Sequence, residues 1–120
     1  GALTVVGDNP KNDIYLGTGG GPEGVITAAA LSCYGGQIQG RLILDENEKQ
    51  RAKDLGIKDL NKKYNTEDMV KGDIMFCASG VTQSDLVDGI IISSDKFQVN
   101  TLVLHRHLNI KKKITNTYKK

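Results

Sequence analysis

At 120 residues the chain has room for one domain at most, long enough to bury roughly two thirds of its surface if it is self-contained. Its net charge of +2, with most of the excess in Lys111, Lys112, Lys113, Lys119 and Lys120, is not a nucleic-acid signature, and no apolar run suggests a membrane span or a signal peptide. Cys33 and Cys77 lie in apolar runs without metal-type spacing, so they read as buried free thiols in a reducing compartment, and the chain as cytoplasmic.

Aromatic residues are sparse, so the expected core is aliphatic. Gly1 to Val6 is too short to assign by pattern. Gly7-Asp8-Asn9-Pro10 is a turn, and Pro10 stops any helix. Asp13 to Thr18 reads as a strand that enters the glycine-rich stretch Gly17-Thr18-Gly19-Gly20-Gly21-Pro22-Glu23-Gly24. Pro22 suits the first turn of a helix, with Gly21 as its N-cap, and the helix runs to about Tyr34, where Gly35-Gly36 ends it. Gln37 to Leu44 alternates and reads as a strand with one covered face. Asp45 caps the next helix and Glu48 completes a capping box; that helix reaches Leu55 and stops at Gly56.

A short helix is expected within Thr66 to Gly72. Ile74 to Ala78 is continuously apolar, as in a strand covered on both faces. Ser79 to Thr82 is a loop, and Asp85 and Asp88 fit a short capped turn better than a catalytic pair. Ile90 to Ile92 and Val99 to Leu104 are strands joined through the turn Ser93 to Lys96, and a last strand covers Leu108 to Ile114. The tail lysines read as a solvated end. His105 and His107 share one face if both lie on a strand; with no third ligand in sight they read as surface histidines.

The glycine stretch carries the chemistry. Glycines there mean positive φ or a close approach by something else. Glu23 falls in the first helical turn, beside unpaired amide donors and the positive end of the helix dipole. An acidic residue is favoured there anyway, by roughly 0.3–1 kcal/mol. The other reading is a cation held next to an anion, the geometry of metal-assisted phosphate chemistry. The stretch is neither a Walker A loop, lacking the Lys-Ser/Thr, nor a dinucleotide fingerprint, since Gly24 comes one residue late.

The wider pattern, Gly17 to Ala30 followed by Gly36-Gln37-Ile38-Gln39-Gly40-Arg41-Leu42, resembles the class II fructose-1,6-bisphosphatases. The likeness extends through Asn47-Glu48, Gly56-Ile57, Glu67 to Asp73 and Phe76 to Thr82, over about residues 1 to 106. It implies a layered α/β sandwich with a mixed sheet, the C-terminal half of a sugar-phosphatase-like fold, with Gly1 to Val6 as a helix remnant. It implies hydrolysis of the 1-phosphate of fructose 1,6-bisphosphate, in some members also of sedoheptulose 1,7-bisphosphate, with Mg²⁺ or Mn²⁺. By motif, Glu23 is a metal ligand and Gly20 contacts substrate.

The family's other metal carboxylates and its Asp-Gly-Asp substrate motif do not occur in these residues, and no catalytic residue can be named among them. The expectation is therefore a C-terminal domain, residues 1–120, of a larger homo-oligomeric enzyme, inactive without its N-terminal half. The alternative is a phosphate- or sugar-phosphate-binding module without turnover; a structural subunit joined to a partner through a sheet edge is a third.

Overall fold

A computed structural model describes residues 1–120. A single 3-10 turn, Ala2–Val5, opens the chain, as the helix remnant did in sequence. Three helices follow in chain order: α1 (Gly21–Cys33), α2 (Glu46–Asp54) and α3 (Thr66–Met69). Six strands accompany them: β1 (Gln39–Arg41), β2 (Lys63–Asn65), β3 (Met75–Ser79), β4 (Ile91–Ile92), β5 (Lys96–His105) and β6 (Ile110–Lys119). The class is α/β, as expected. All strand pairings in the chain are antiparallel, so the mixed character expected of the sheet is not found among them.

The helix ends follow from local chemistry. Asp45 accepts from the Glu48 amide at 2.8 Å while the Glu48 carboxylate accepts from the Asp45 amide at 2.9 Å, a complete capping box. Helices α1 and α2 end alike. Gly35 (φ 73°) and Gly56 (φ 85°) take the left-handed conformation. The next amide then returns to the last turn: Gly36 donates to the Leu31 carbonyl at 2.9 Å and Ile57 to that of Ala52 at 3.0 Å. The charged residues of α2 face solvent and only Ala52 is buried. Asn65 caps α3, its amide donating to the Asp68 carboxylate at 3.0 Å. The Lys62 ammonium, hydrogen-bonded to Asp68, and then that Asn65 amide hold the Asp68 carboxyl below its usual range.

The larger sheet is built on β5. One edge of β5 pairs with β6 over its whole length, from Lys96↔Lys119 to His105↔Ile110. The other edge pairs first with β4 and then with β3, end to end. The chain thus leaves the sheet at Gly80 and returns in line at Ile91. The excursion between them closes on itself, with the Ile90 amide donating to the Val81 carbonyl at 3.2 Å. Ser84 Oγ accepts from the amides of Leu86 and Val87, which is the capped turn expected there. A Cβ at Gly80 would strike the Asp88 carbonyl oxygen and reach Val87 Cγ2 at 3.0 Å; one at Gly89 would stand 2.8 Å from the Gln83 amide nitrogen. The base of this loop closes only because both are glycine.

Alternation along β5 decides what is inside. Leu102 and Leu104, with Phe76 and Ala78 opposite them on β3, face the C-terminal turns of α1. Cys33, Val87, Leu102 and Leu104 form the core, flanked by Tyr34, Ile74, Phe76 and Leu86. The opposite face carries Met75, Cys77, Val99, Val103 and Ile114, and no element of the chain covers it.

Several expectations fail, and in each the presence or absence of a partner decides the outcome. Asp13 to Thr18 forms no strand: no neighbour offers it a ladder, and Leu16 is 82% exposed. The strand expected over Gln37 to Leu44 shrinks to β1, the three residues that pair with β2. Strand β3 is covered on one face instead of two, so Cys77 is exposed and only Cys33 is a buried thiol. The last strand begins two residues later than expected and runs to Lys119, so the lysine-rich tail is an exposed edge strand. Lysine on an edge discourages pairing with other chains. The radius of gyration, 17.5 Å, exceeds the roughly 13–14 Å of a compact domain of this length, so the molecule is elongated and its core small.

Two outcomes follow from the core and the loop. Gly80→Ala should cost about 1–3 kcal/mol of stability by overpacking, while Gly19→Ala, whose Cβ meets nothing within 4 Å, stays within about 0.5 kcal/mol of the parent; urea midpoints compare them. Burial pushes the Cys33 thiol and the Tyr34 hydroxyl above their ordinary values. The folded state therefore holds these protons more tightly than the unfolded state. Their stabilising effect is whole below about pH 9 and is lost as pH climbs through the raised values. Thermal midpoints read from pH 8 to pH 11 should fall, and less steeply in Cys33→Ala.

Candidate functional site

Helix α1 begins one residue earlier than its proline suggests. Gly20 (φ −70°, ψ 155°) is the N-cap, Gly21 the first helical residue and Pro22 the second, which puts Glu23 third. The first helical bond runs from the Gly24 amide to the Gly20 carbonyl at 3.1 Å. Gly20 has no side chain with which to cap, so the amides ahead of that bond face the loop. The stretch from 14 to 23 is exposed throughout. The glycine loop therefore precedes a true helix N-terminus, though not at the end of a strand.

The conformational reason for these glycines is not positive φ. The glycines that need it are Gly7, Gly35, Gly56 and Gly72, all outside the loop. At Gly20 an added Cβ would meet the Glu23 carboxylate oxygen Oε2, the far end of a flexible side chain. Glu23 folds back over its own N-cap, as the third residue of a helix does in a capping box. Gly20 and Glu23, the two site residues named by motif, are thus in contact. Gly19, Gly21 and Gly24 have nothing within 4 Å of an added Cβ, so this chain's own packing does not require glycine there.

Glu23 pairs with no cation of the chain, unlike Glu46, Asp68 and Asp85, each of which holds a lysine. Its carboxylate is a hard oxygen donor beside free amides, a donor type that suits Mg²⁺ or Mn²⁺. It supplies one ligand. No group of three or more His, Cys, Asp or Glu residues that could hold a metal ion occurs in the chain.

The other polar candidates are structural. The Lys11 ammonium bonds Asp85 at 2.9 Å and holds its carboxyl below the usual range. Asp88 accepts from the Gln83 amide at 3.0 Å inside the 81–90 loop. The histidines do not share a strand face: β5 ends at His105, and His107 lies in the hairpin turn closed by Asn109 (φ 48°). His105 is not a surface residue either. Its side chain is 14% exposed, and Nδ1 lies 3.5 Å from the Asp73 carboxylate.

A cavity of about 450 Å³ lies at the opposite end of α1 from the glycine loop. Its polar lining includes Ser32, Gln37, Gln39, Asn65, Glu67 and Arg106. Arg106 Nη2 is already paired with Glu67 at 3.2 Å. Sequence reasoning missed this cavity because its walls come from separate segments with no shared motif. Its size gives it no claim on chemistry: it holds no free charged group of the kind the loop presents.

Residues 1–118 match the family model for bacterial fructose-1,6-bisphosphatase, glpX-encoded. The chain is 37% identical over 117 residues to fructose-1,6-bisphosphatase 2 class 2 of Escherichia coli (strain K12), an alignment covering 85% of this chain and 36% of that protein. It is 36% identical over 103 residues to each of two D-fructose 1,6-bisphosphatase class 2/sedoheptulose 1,7-bisphosphatases, from Trichodesmium erythraeum (strain IMS101) and Synechococcus sp. (strain JA-3-3Ab). Each of these alignments takes in 74% of this chain and 30% of the relative. The chain belongs to the glpX-type, class 2 fructose-1,6-bisphosphatase family. It spans about a third of the length of the curated relatives it matches.

The contact at Gly20 is open to test. In Gly20→Ala the new Cβ meets only the far end of a flexible side chain, so Glu23 can swing away and the fold should keep its stability to within about 0.5 kcal/mol. The displaced carboxylate should be visible as a changed Glu23 side-chain resonance or rotamer, with the helix amides beyond Val25 unmoved.

Proposed function

We propose that these residues are the C-terminal part of a metal-dependent sugar bisphosphatase that hydrolyses the 1-phosphate of fructose 1,6-bisphosphate, serving gluconeogenesis in the cytoplasm as a homo-oligomer. The observation that carries this reading is the open glycine loop at the N-terminus of α1, with the unpaired Glu23 carboxylate lying over Gly20. Two of the relatives also carry sedoheptulose 1,7-bisphosphatase in their names. A second activity of that kind suits the same loop, since backbone contacts at glycine recognise a phosphate and not the length of the sugar.

Each residue has a task in this reading. Glu23 would hold one divalent cation, Mg²⁺ or Mn²⁺, which when bound activates water and offsets charge on the phosphoryl oxygens. Gly20 lets the sugar phosphate come close to the main chain, and the exposed amides at the start of α1 face its negative charge. Gly19 and Gly21 leave open the volume the substrate enters. Pro22 fixes the backbone of the first turn and so holds Glu23 in register with Gly20. A single carboxylate is too few for a catalytic metal centre. The remaining ligands belong to the N-terminal half of the enzyme, and the 120 residues alone would bind without turning over.

Glu23→Gln in the complete enzyme separates a ligand from a mere cap. Glutamine keeps the size but loses the charge that a hard cation prefers. Loss of the helix-dipole interaction should cost only about 0.3–1 kcal/mol of stability. Loss of a metal contact used in the transition state should lower kcat by about 10²-fold or more, with partial recovery at high Mn²⁺. Turnover equal to wild type across a Mn²⁺ titration would end the metal-ligand role.

A further inference from the structure

Strand β6 ends the larger sheet, and the alternation of hydrogen bonds shows which of its main-chain groups are unused. The Lys120 amide donates to the Asp95 carbonyl at 2.9 Å. On the other side of β5, the Gly80 amide donates to the Asn100 carbonyl at 2.9 Å and the Arg106 amide to that of Ile74 at 2.8 Å. Antiparallel pairing alternates, so the even-numbered residues of β5 bond towards β3 and β4, and its odd-numbered residues towards β6. In the register from Lys96↔Lys119 to His105↔Ile110, β6 answers through Ile110, Lys112, Ile114, Asn116 and Tyr118. The N–H and C=O groups of Lys111, Lys113, Thr115, Thr117 and Lys119 therefore point away from the sheet, and all of these residues are exposed.

An edge of this kind is blunted by short length, a bulge, a proline or charge along it. Strand β6 is ten residues long, its register is unbroken and it contains no proline. Its charge is confined to the ends. Lys111, Lys112 and Lys113 stand at one, Lys119 and Lys120 at the other, around the uncharged Ile114-Thr115-Asn116-Thr117-Tyr118. None of these lysines forms an ion pair in the chain; Lys111 lies over the Tyr34 ring at 5.1 Å and Lys120 Nζ donates to the Ser93 carbonyl at 2.6 Å. The middle is open to a strand, and the ends select its charge. A second copy fits badly. Antiparallel pairing centred on Thr115 sets Lys111 opposite Lys119; centred on Asn116 it sets Lys113 opposite Lys119 and Lys112 opposite Lys120. Like charges directly opposite are destabilising, and opposite charges stabilise. A strand supplied by the same polypeptide arrives at high effective concentration and needs no such selection. Charge at the ends serves where one partner must be told from others.

We propose that β6 is a docking edge for an extended acidic segment of another protein, which adds to the larger sheet as a further strand. The segment sets uncharged, β-branched residues against 114–118 and carboxylates against Lys113 and Lys119 on either side. Main-chain hydrogen bonds to the outward groups of Thr115 and Thr117 hold it, and the ion pairs at the ends fix its register. The same lysines that keep copies of the chain apart admit this partner. The inference uses no residue of the glycine loop and stands apart from the phosphatase reading.

The test uses the complete polypeptide and a fluorescein-labelled peptide, Glu-Val-Thr-Val-Thr-Val-Glu, whose antiparallel register sets one glutamate against Lys119 and the other against Lys113. Anisotropy should rise saturably with protein concentration. The peptide with lysine in place of both glutamates should bind at least about 10-fold more weakly. The double variant Lys113→Glu, Lys119→Glu should cancel that preference. Amide exchange at Thr115 and Thr117 should be fast in the polypeptide alone and slow about 10-fold or more when the acidic peptide is bound. No binding below about 1 mM peptide, or equal binding of the two peptides, would overturn the proposal. So would Thr115 and Thr117 amides already protected without peptide, since a second copy or another segment of the same polypeptide would then hold the edge.

Discussion

Leu104 is the largest fully buried side chain in the molecule, and the contact of the last turns of α1 with it and with Leu102 positions everything else. Burying a leucine of this kind is worth roughly 1.5–3 kcal/mol. The small residues of the helix, Ala28, Ala30 and Cys33, let it approach the sheet closely. Because those turns are pinned, the first turn is carried as a rigid extension and projects Gly20 and Glu23 away from the core. The apolar residues of that projecting half, Val25 and Ile26, remain exposed.

That geometry recasts the glycine loop. None of its glycines takes a left-handed backbone, so the loop is built for space and not for a turn. At Gly20 the space is taken by Glu23; at Gly19 and Gly21 it is empty. A carboxylate, free amides and room for a ligand meet at one helix end, while a cavity of about 450 Å³ sits at the other, beside an arginine whose charge is already spent on Glu67. Local chemistry is a better guide to the site than volume is.

The edge of the larger sheet is protected by the lysines of β6 against pairing with strangers, and its outer face mixes Met75, Val99, Val103 and Ile114 with Ser79, Thr101, Lys112 and Asn116. The segment 13–18 carries Ile14, Tyr15 and Leu16 into solvent without a ladder to join. No helix of the chain is long and apolar enough to cross a membrane.

The sequence alone determined what is decided within a few residues. The capping box at Asp45 and Glu48, the glycine stops at Gly35 and Gly56, the turn at Ser93 to Lys96 and the start of a helix around Pro22 are all settled by hydrogen bonds between near neighbours. The motif named Gly20 and Glu23 together, but their contact had to be seen. The tertiary structure decided the strands, since a strand exists only where another lies beside it. Apolar pattern could not tell the unpaired 13–18 from the paired β3, reveal that Lys63–Asn65 would pair with Gln39–Arg41, or say which face of Met75–Ser79 is covered. Nor could composition show that Gly80 and Gly89 close a loop on Asp88 and Gln83. Those outcomes depend on which distant residues come within reach, and periodicity along a chain carries no record of that.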